Sequence, residues 1–503
     1  MSTQADQAAS GGAASTSLAE AYVERLRDEL LEIEERLIPT GLHVLDRGFA
    51  PQEVADTLRT ASEMQPPEML ERIARELPVC NESSPILAAL EGRYVRPAAG
   101  GDVLRNPDVL PTGRNLHGLN PALIPNAPAL RLAQRTVDAL LERARAETGG
   151  WPESVGLVLW GTDNLKTDGE AIAQVLLLLG ARPLVDDLGR VHDVALTPLE
   201  ELGRPRIDVV VSASGIFRDL FGHHLSLLDR AFHLAALADE PEDRNFVRAH
   251  TRALARELGV PEEQAAVRIF SNATGTYGTN VNFAIENRAW EREEDLADMF
   301  VSRKAFAYGS HLEGQQATAL FERALASVQV TFQNIDSLEF GLTDIDHYNE
   351  YLGGMSRAVQ KQRGQAPAVL VADFVTPNGK VRSVQEMIAL EIRTKALNPR
   401  WYEGMLAHGY EGVREIEAHV SNTFGWSVTC GAVPKWVYDG LAACYVLDES
   451  MSQRLEALNP HAAAALANRL LEASARGYWQ PDNPTLAALK ARAGDLEDAL
   501  ERL

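Results

Sequence analysis

At 503 residues the chain is too long for one ordinary core, and its 45% apolar and 24% charged composition suits two to four soluble globular domains. A formal charge of −23 argues against nucleic acid as a ligand, since that needs a basic face, and leaves a small molecule, a metal or a basic protein. The three cysteines, Cys80, Cys430 and Cys444, lack metal-binding spacing and are expected as reduced thiols of a cytoplasmic protein; no apolar run is long enough for a membrane span.

Residues 1–17 are small and polar and read as a flexible leader. Segment 18–127 begins with a helical period from Leu18, broken by the turn Pro39-Thr40-Gly41, and resumes from Pro51 to Leu77. It ends in a long Gly/Pro/Asn-rich loop, 92–126, where periodicity fails. Segment 128–240 alternates strand and helix: "VGLVLWG", "GEAIAQVLLLLG", "ARPLVDD", "RIDVVVSAS", then "GIFRDLFGHHLSLLDRAFHLAALA". Strand, helix and strand at this spacing imply parallel pairing through crossovers. The expected fold class is therefore α/β, a Rossmann-like parallel sheet layer with extensive helical segments. Segment 241–440 is mixed and mostly helical, with a Gly/Asn/Thr loop at "FSNATGTYGTNVN" and a short strand in "APAVLVADFV". Segment 441–503 reads as helical.

Ligands of such sheets sit beyond the carboxyl ends of the strands, where "GTDNLKTDGE" and "SASGIFRDLF" fall. The first resembles a phosphate loop, but it lacks the second glycine, is one residue short, and carries Asp163 and Asp168, which repel phosphate. It can be a plain strand-to-helix turn with Asp168 as N-cap, Gly169 permissive and Glu170 in the first turn. Lys166 beside a helix N-terminus would suit a single carboxylate such as a propionate.

A collinear series of motifs runs along the chain: "RLIPTGLHV" (36–44), "GGDVLRNPDVLPTGRNLHGLNP" (100–121), "LWGTDNLKTDGEAIAQ" (159–174), "ELGRPRIDVVVSASGIFRDLF" (201–221), "FSNATGTYGTNVN" (270–282), "DIDHYNEYLGG" (344–354), "RTKALNPRWYEGMLAHGYEGVREI" (393–416) and "LLEASARGYWQP" (470–481). On these the chain resembles the porphyrin-binding H subunit of magnesium chelatase and, more distantly, the large subunit of aerobic cobaltochelatase. H subunits are more than twice as long, so the resemblance covers their C-terminal part; a fragment and a short natural form both fit. It implies ATP-dependent insertion of Mg²⁺ into protoporphyrin IX for bacteriochlorophyll synthesis. ATP would be used by AAA+ partners of the I and D types, and a separate N-terminal H-type polypeptide would complete the assembly. A non-catalytic tetrapyrrole carrier or regulator, and a cobalt-type chelatase component, are the alternatives.

Insertion requires an apolar cleft with cations for the propionates, a base for the pyrrole N–H protons, and oxygen ligands to strip water from Mg²⁺. "DIDHYNEY" packs Asp344, Asp346, His347, Tyr348 and Glu350 together. On a helix, Asp346 and Glu350 share a face, as do Asp344 and His347. His347, Asp346 and Glu350 are the expected catalytic and metal-handling set; a solvated acidic helix is the plain alternative. The expected porphyrin contacts are Arg114, Asn115 and His117 on the long loop, Lys166, Arg218 and Arg393. Their alternatives are a loop bonded to its own backbone, an Arg218–Asp219 pair fixing a turn, and a surface helix end.

Overall fold

The computed structural model describes residues 44–502 apart from 63–64, 80, 101–102, 104–106, 117–119, 310–311, 336, 338–339 and 374–379, together with 23, 25–28 and 30–32. The leader, the turn at Pro39-Thr40-Gly41, Cys80 and His117 lie outside the described residues. The other two cysteines are free, and burial pushes the thiol of Cys430 up to about 12 and that of Cys444 up to about 11.

The short apolar runs form the strands expected of them. Ser154–Leu159 (β1) and Asp208–Ala213 (β4) are buried at every position and pair in parallel, Leu157 opposite Val211. Between them, Ala181–Val185 (β2) and Val191–Leu196 (β3) form a separate antiparallel hairpin. "ARPLVDD" was expected inside the parallel sheet, and this is a correction. Of its residues only Ala181 is buried, whereas a central parallel strand must bury both faces.

Six further strands complete the sheet: Ile269–Ser271 (β5), Phe306–Gly309 (β6), Leu312–Gln316 (β7), Val330–Ile335 (β8), Ala368–Asp373 (β9) and Lys380–Ser383 (β10). Their order is β10-β9-β8-β1-β4-β5-β6-β7. The central β9-β8-β1-β4-β5 is parallel, and β10, β6 and β7 add antiparallel edges. The α/β class with a mainly parallel sheet is thus observed. The sheet is not confined to 128–240, because six of its eight strands come from 241–440. Strands as short as "IFS" and "FAYG" carry no readable period.

Both faces are covered. Helices Ala127–Thr148 (α1), Glu170–Leu179 (α3, after the short α2, Gly161–Lys166) and Gly222–Leu237 (α5, after the short α4, Gly215–Leu220) pack Leu140 and Leu176 against Leu157, Val211 and Phe332. On the other face Val158, Val210 and Val371 meet Phe300, Met355 and Phe424. These come from Glu293–Lys304 (α7, after α6, Val281–Glu286), Gly354–Arg363 (α8) and Tyr410–Cys430 (α10, after α9, Val384–Thr394). The expected N-terminal helical stretch forms Pro51–Ala61 and Pro67–Glu76, which enclose Val54 and Ile73 with Val109 and Leu110 of the long loop.

The turn before α3 is tight. Gly169 has φ +86°, and a Cβ there would lie 1.8 Å from Cγ2 of the buried Ile124. Gly169→Ala is expected to cost about 1–3 kcal/mol, combining backbone strain and overpacking. Urea unfolding tests this, and an unchanged midpoint would show that the turn relaxes freely.

Candidate active site at the carboxyl ends of the parallel strands

The chain leaves β1 toward β4 and β5, and leaves β8 toward β9, so the neighbours β1 and β8 mark the topological switch point. Trp160 follows β1 directly. Its Nε1 donates to Gln333 Oε1 of β8 at 3.4 Å, and its ring lies 4.6 Å from that of Tyr351 and 5.8 Å from that of Tyr348. Beside it, Ser214 past β4 caps α4, accepting from the amide of Phe217 at 3.1 Å, and also accepts from the amide of Gly161 at 3.3 Å. Asn164 holds the next turn by donating to the Trp160 carbonyl and accepting from the amide of Ile172.

Asp168 does not cap α3; this corrects the expectation. Gly169 occupies the N-cap position, and the Asp168 carboxylate accepts from Asn126 Nδ2 at 2.9 Å. No phosphate-loop geometry results.

"DIDHYNEY" is a three-residue helix, Asp346–Tyr348, running into a π turn, Asn349–Gly353. Three residues apart along this segment, His347 and Glu350 meet, with Nδ1 to Oε2 at 2.7 Å. Glu350 is buried while the His347 side chain is 56% exposed. The other oxygen of Glu350, Oε1, accepts from the amides of Thr279 and Asn280, the latter at 3.0 Å. Burial opposes ionisation of Glu350, but the bonds from His347 and Thr279 outweigh it and hold its pKa below the ordinary range. The Glu350 bond likewise raises the pKa of His347 against its partial burial. With Glu350 ionised, the neutral form of the ring keeps its proton on Nδ1 and presents the lone pair of Nε2 on the opposite, outer edge.

Asp346 is half-exposed and accepts from Asn282 Nδ2 at 2.6 Å; its nearer oxygen lies 3.9 Å from His347 Nδ1. One expectation is corrected here. Asp344 does not neighbour His347: its carboxylate pairs with buried Lys395 and with His419 Nε2 at 2.9 Å, anchoring the segment from below. Both oxygens of Glu350 accept hydrogen bonds, Oε2 from His347 and Oε1 from the amides of Thr279 and Asn280. Glu350 orients and Asp346 and His347 face outward.

The expected porphyrin contacts divide. Arg218 lies at the strand ends, where Nη1 donates to the carbonyls of Asn272, Ala273 and Thr276 and Nε donates to Asp219 at 2.8 Å. It therefore pins the loop after β5 as well as its own turn, and buried Nη2 finds no hydrogen-bond partner among the described residues. Exposed Lys166 ends α2 on the same strand-end layer. Asn115 donates to the carbonyl of Val109 at 2.7 Å and accepts from the amide of Gly113, the self-bonded loop alternative. Half-buried Arg114 sits beside it on that loop. Arg393 covers the ring of Trp436 at 4.6 Å, a surface helix-end contact.

Sequence reasoning assigned no residues within "FSNATGTYGTNVN", yet this loop builds the cradle of Glu350. It also contributes Tyr277, whose ring packs over Gly215 and whose hydroxyl donates to Asp219 at 2.6 Å. Ile216, Leu220, Tyr277 and Phe283 each leave about half of their surface open around the strand ends, between 47% and 56%. An apolar rim around a polar pair is the usual build of a small-molecule site.

Residues 67–486 match the family CobN/Magnesium Chelatase. The chain belongs to the CobN/magnesium chelatase family. Among its chelatase relatives, the magnesium-chelatase H subunit of Cereibacter sphaeroides is 47% identical over 94% of this chain and 39% of its own length. The chloroplastic magnesium-chelatase ChlH subunit of Oryza sativa subsp. indica is 50% identical over 84% of this chain and 31% of its own. The aerobic cobaltochelatase CobN subunit of a Sinorhizobium species is 37% identical over 82% and 34%. The solved catalytic subunit of cobaltochelatase from Mycobacterium tuberculosis superposes with a TM-score of 0.81 at 38% identity, covering 89% of this chain and 38% of that one. The chain thus spans between about a third and two fifths of the length of these chelatase subunits. Among the described residues no helix is long and apolar enough to cross a membrane.

Proposed function

We propose that this chain holds a tetrapyrrole at the carboxyl ends of its parallel strands and carries the metal-inserting groups of a chelatase. The observation that carries this is the His347–Glu350 pair, 2.7 Å apart inside an apolar and aromatic rim. The identity to magnesium-chelatase H subunits, 47% and 50%, against 37% to the cobalt subunit favours Mg²⁺ and protoporphyrin IX as substrates. The proposed setting is the cytoplasm, in bacteriochlorophyll synthesis, with I- and D-type AAA+ partners hydrolysing ATP and an N-terminal H-type polypeptide completing the assembly.

In this reading the macrocycle lies against Tyr277, Phe283, Ile216 and Trp160, with Lys166 and Arg218 supplying charge for propionates. His347 Nε2 takes a pyrrole proton, Glu350 holds the ring and stabilises the imidazolium, and Asp346 replaces water on the arriving Mg²⁺. Two pyrrole protons leave for each ion inserted, so His347 passes the first to solvent before taking the second.

Quenching of tryptophan fluorescence by deuteroporphyrin IX tests the reading, and the absence of saturable binding would overturn it for this chain. Tyr277→Ala is expected to raise the dissociation constant about tenfold, as loss of one half-exposed aromatic contact implies. Affinity equal to that of the unaltered chain would move the macrocycle off this rim. Reconstituted turnover with Co²⁺ exceeding that with Mg²⁺ would select the cobalt-type reading.

A further inference from the structure

Helix α7 ends on Lys304, whose side chain exposes no surface. An ammonium so placed is costly unless it is well hydrogen-bonded. Nζ donates to the carbonyl of Ala213, the last residue of β4, at 2.6 Å, and to Oδ1 of Asn272, the first residue past β5, at 3.1 Å. It also lies 4.3 Å from the centroid of the Tyr351 ring. None of the described carboxylates forms an ion pair with it. Burial pulls its pKa down to about 7, against the field of Glu350.

These partners lead to the Glu350 cradle. Asn272 Nδ2 donates to the carbonyl of Gly278 at 2.5 Å, and the Tyr351 hydroxyl accepts from the amide of Gly278 at 3.2 Å. Gly278 has φ +69°, and a Cβ there would stand 3.0 Å from Glu350 Oε1. The next two amides, of Thr279 and Asn280, hold that same oxygen. The Asn272 carbonyl is further fixed by the Tyr308 hydroxyl at 2.7 Å and by Arg218 at 3.0 Å. Asn272 is thus the anchor at the start of the loop after β5, with Arg218 holding the carbonyls of Ala273 and Thr276 further along, and Lys304 joins Asn272 to the end of β4 and to the ring beside Glu350.

We propose that Lys304 is a positioning residue for metal insertion, a buried cation that fixes the Asn272–Asn280 loop and through it the orientation of Glu350 and His347. The inference rests on His347–Glu350 being the inserting pair. An apolar staple could fill the same space, but it could not hold two oxygens from different strand ends and an aromatic face at once.

The test uses the full chain, deuteroporphyrin IX, and reconstitution with AAA+ partners, ATP and Mg²⁺. Lys304→Met is expected to lower kcat for insertion about 30-fold or more while KM and the dissociation constant for deuteroporphyrin stay within about threefold. Amide exchange at Gly278–Asn280 should quicken about tenfold with the rest of the sheet unchanged, a reading that needs no turnover. Unchanged kcat, or exchange unaltered at these amides, overturns the inference. His347→Ala separates the two levels. Insertion lost there but intact in Lys304→Met removes Lys304 alone, whereas insertion intact in His347→Ala removes the site beneath it. If Lys304→Met does not fold, Asn272→Ala, which cuts the same link with the lysine in place, is read by the same two outcomes.

Discussion

His347→Ala is expected to lower metal insertion by about 10²–10⁴-fold, the usual contribution of a general base, while deuteroporphyrin affinity stays within about threefold. The ring is more than half exposed and is oriented by one bond to buried Glu350, so its removal takes away the base without emptying the apolar rim. Glu350→Gln should follow it in direction, because an amide cannot stabilise the imidazolium as a carboxylate does. Stopped-assay turnover and fluorescence titration on the same preparations give both quantities. Normal turnover in His347→Ala would remove the pair from the chemistry, and a large loss of affinity would make His347 a binding group instead.

Arg268→Ala is expected to cost about 3–5 kcal/mol of stability, the price of leaving a buried charge without its partner. Arg268 and Asp208 are each about 1% exposed, and Nε lies 3.1 Å from both carboxylate oxygens. The guanidinium also donates to the carbonyls of Ala265 and Val267 and to Thr251 Oγ1, tying the start of β4 to the segment before β5. His250 completes the network, 2.9 Å from Asp208 and 3.4 Å from Glu153. Burial works against the charged ring, but the bonds to Asp208 and Glu153 outweigh it and raise the pKa of His250 to about 9. A raised histidine stabilises the fold fully below its ordinary pKa near 6.5 and loses that contribution as pH climbs through about 9. Melting temperature should therefore fall from pH 6.5 to 9, less steeply in His250→Asn. A urea midpoint unmoved by Arg268→Ala would show that the network is dispensable.

The sequence was most legible where one signal sufficed. β1 and β4 are short apolar runs buried on both faces, and their strand-end turns fall where ligands collect. "DIDHYNEY" was legible as chemistry but not as geometry. The helix begins only at Asp346, so Asp344 lies before it and pairs with Lys395 and His419, while Glu350, three residues after His347, takes the neighbouring place. Lys304 gave no signal, because a lysine in the last turn of "EEDLADMFVSRK" reads as an ordinary solvated cap. Arg218 was legible by position, but its three carbonyl partners belong to a loop more than fifty residues on, beyond any local pattern.

The placement of β1 between β4 and β8 also governs how the molecule is made. β1 ends at Leu159 and β8 starts at Val330, so a growing chain presents one bare edge of a wholly buried strand until the ribosome has supplied the intervening 170 residues. At about 5–20 residues per second that exposure lasts roughly 10–35 s. An unpaired apolar edge is a template for other chains during such an interval. Trp160, at the tip of the same strand, meets Gln333 only when the edge closes. Its fluorescence is therefore a timer for the moment when the strand-end crevice comes into being.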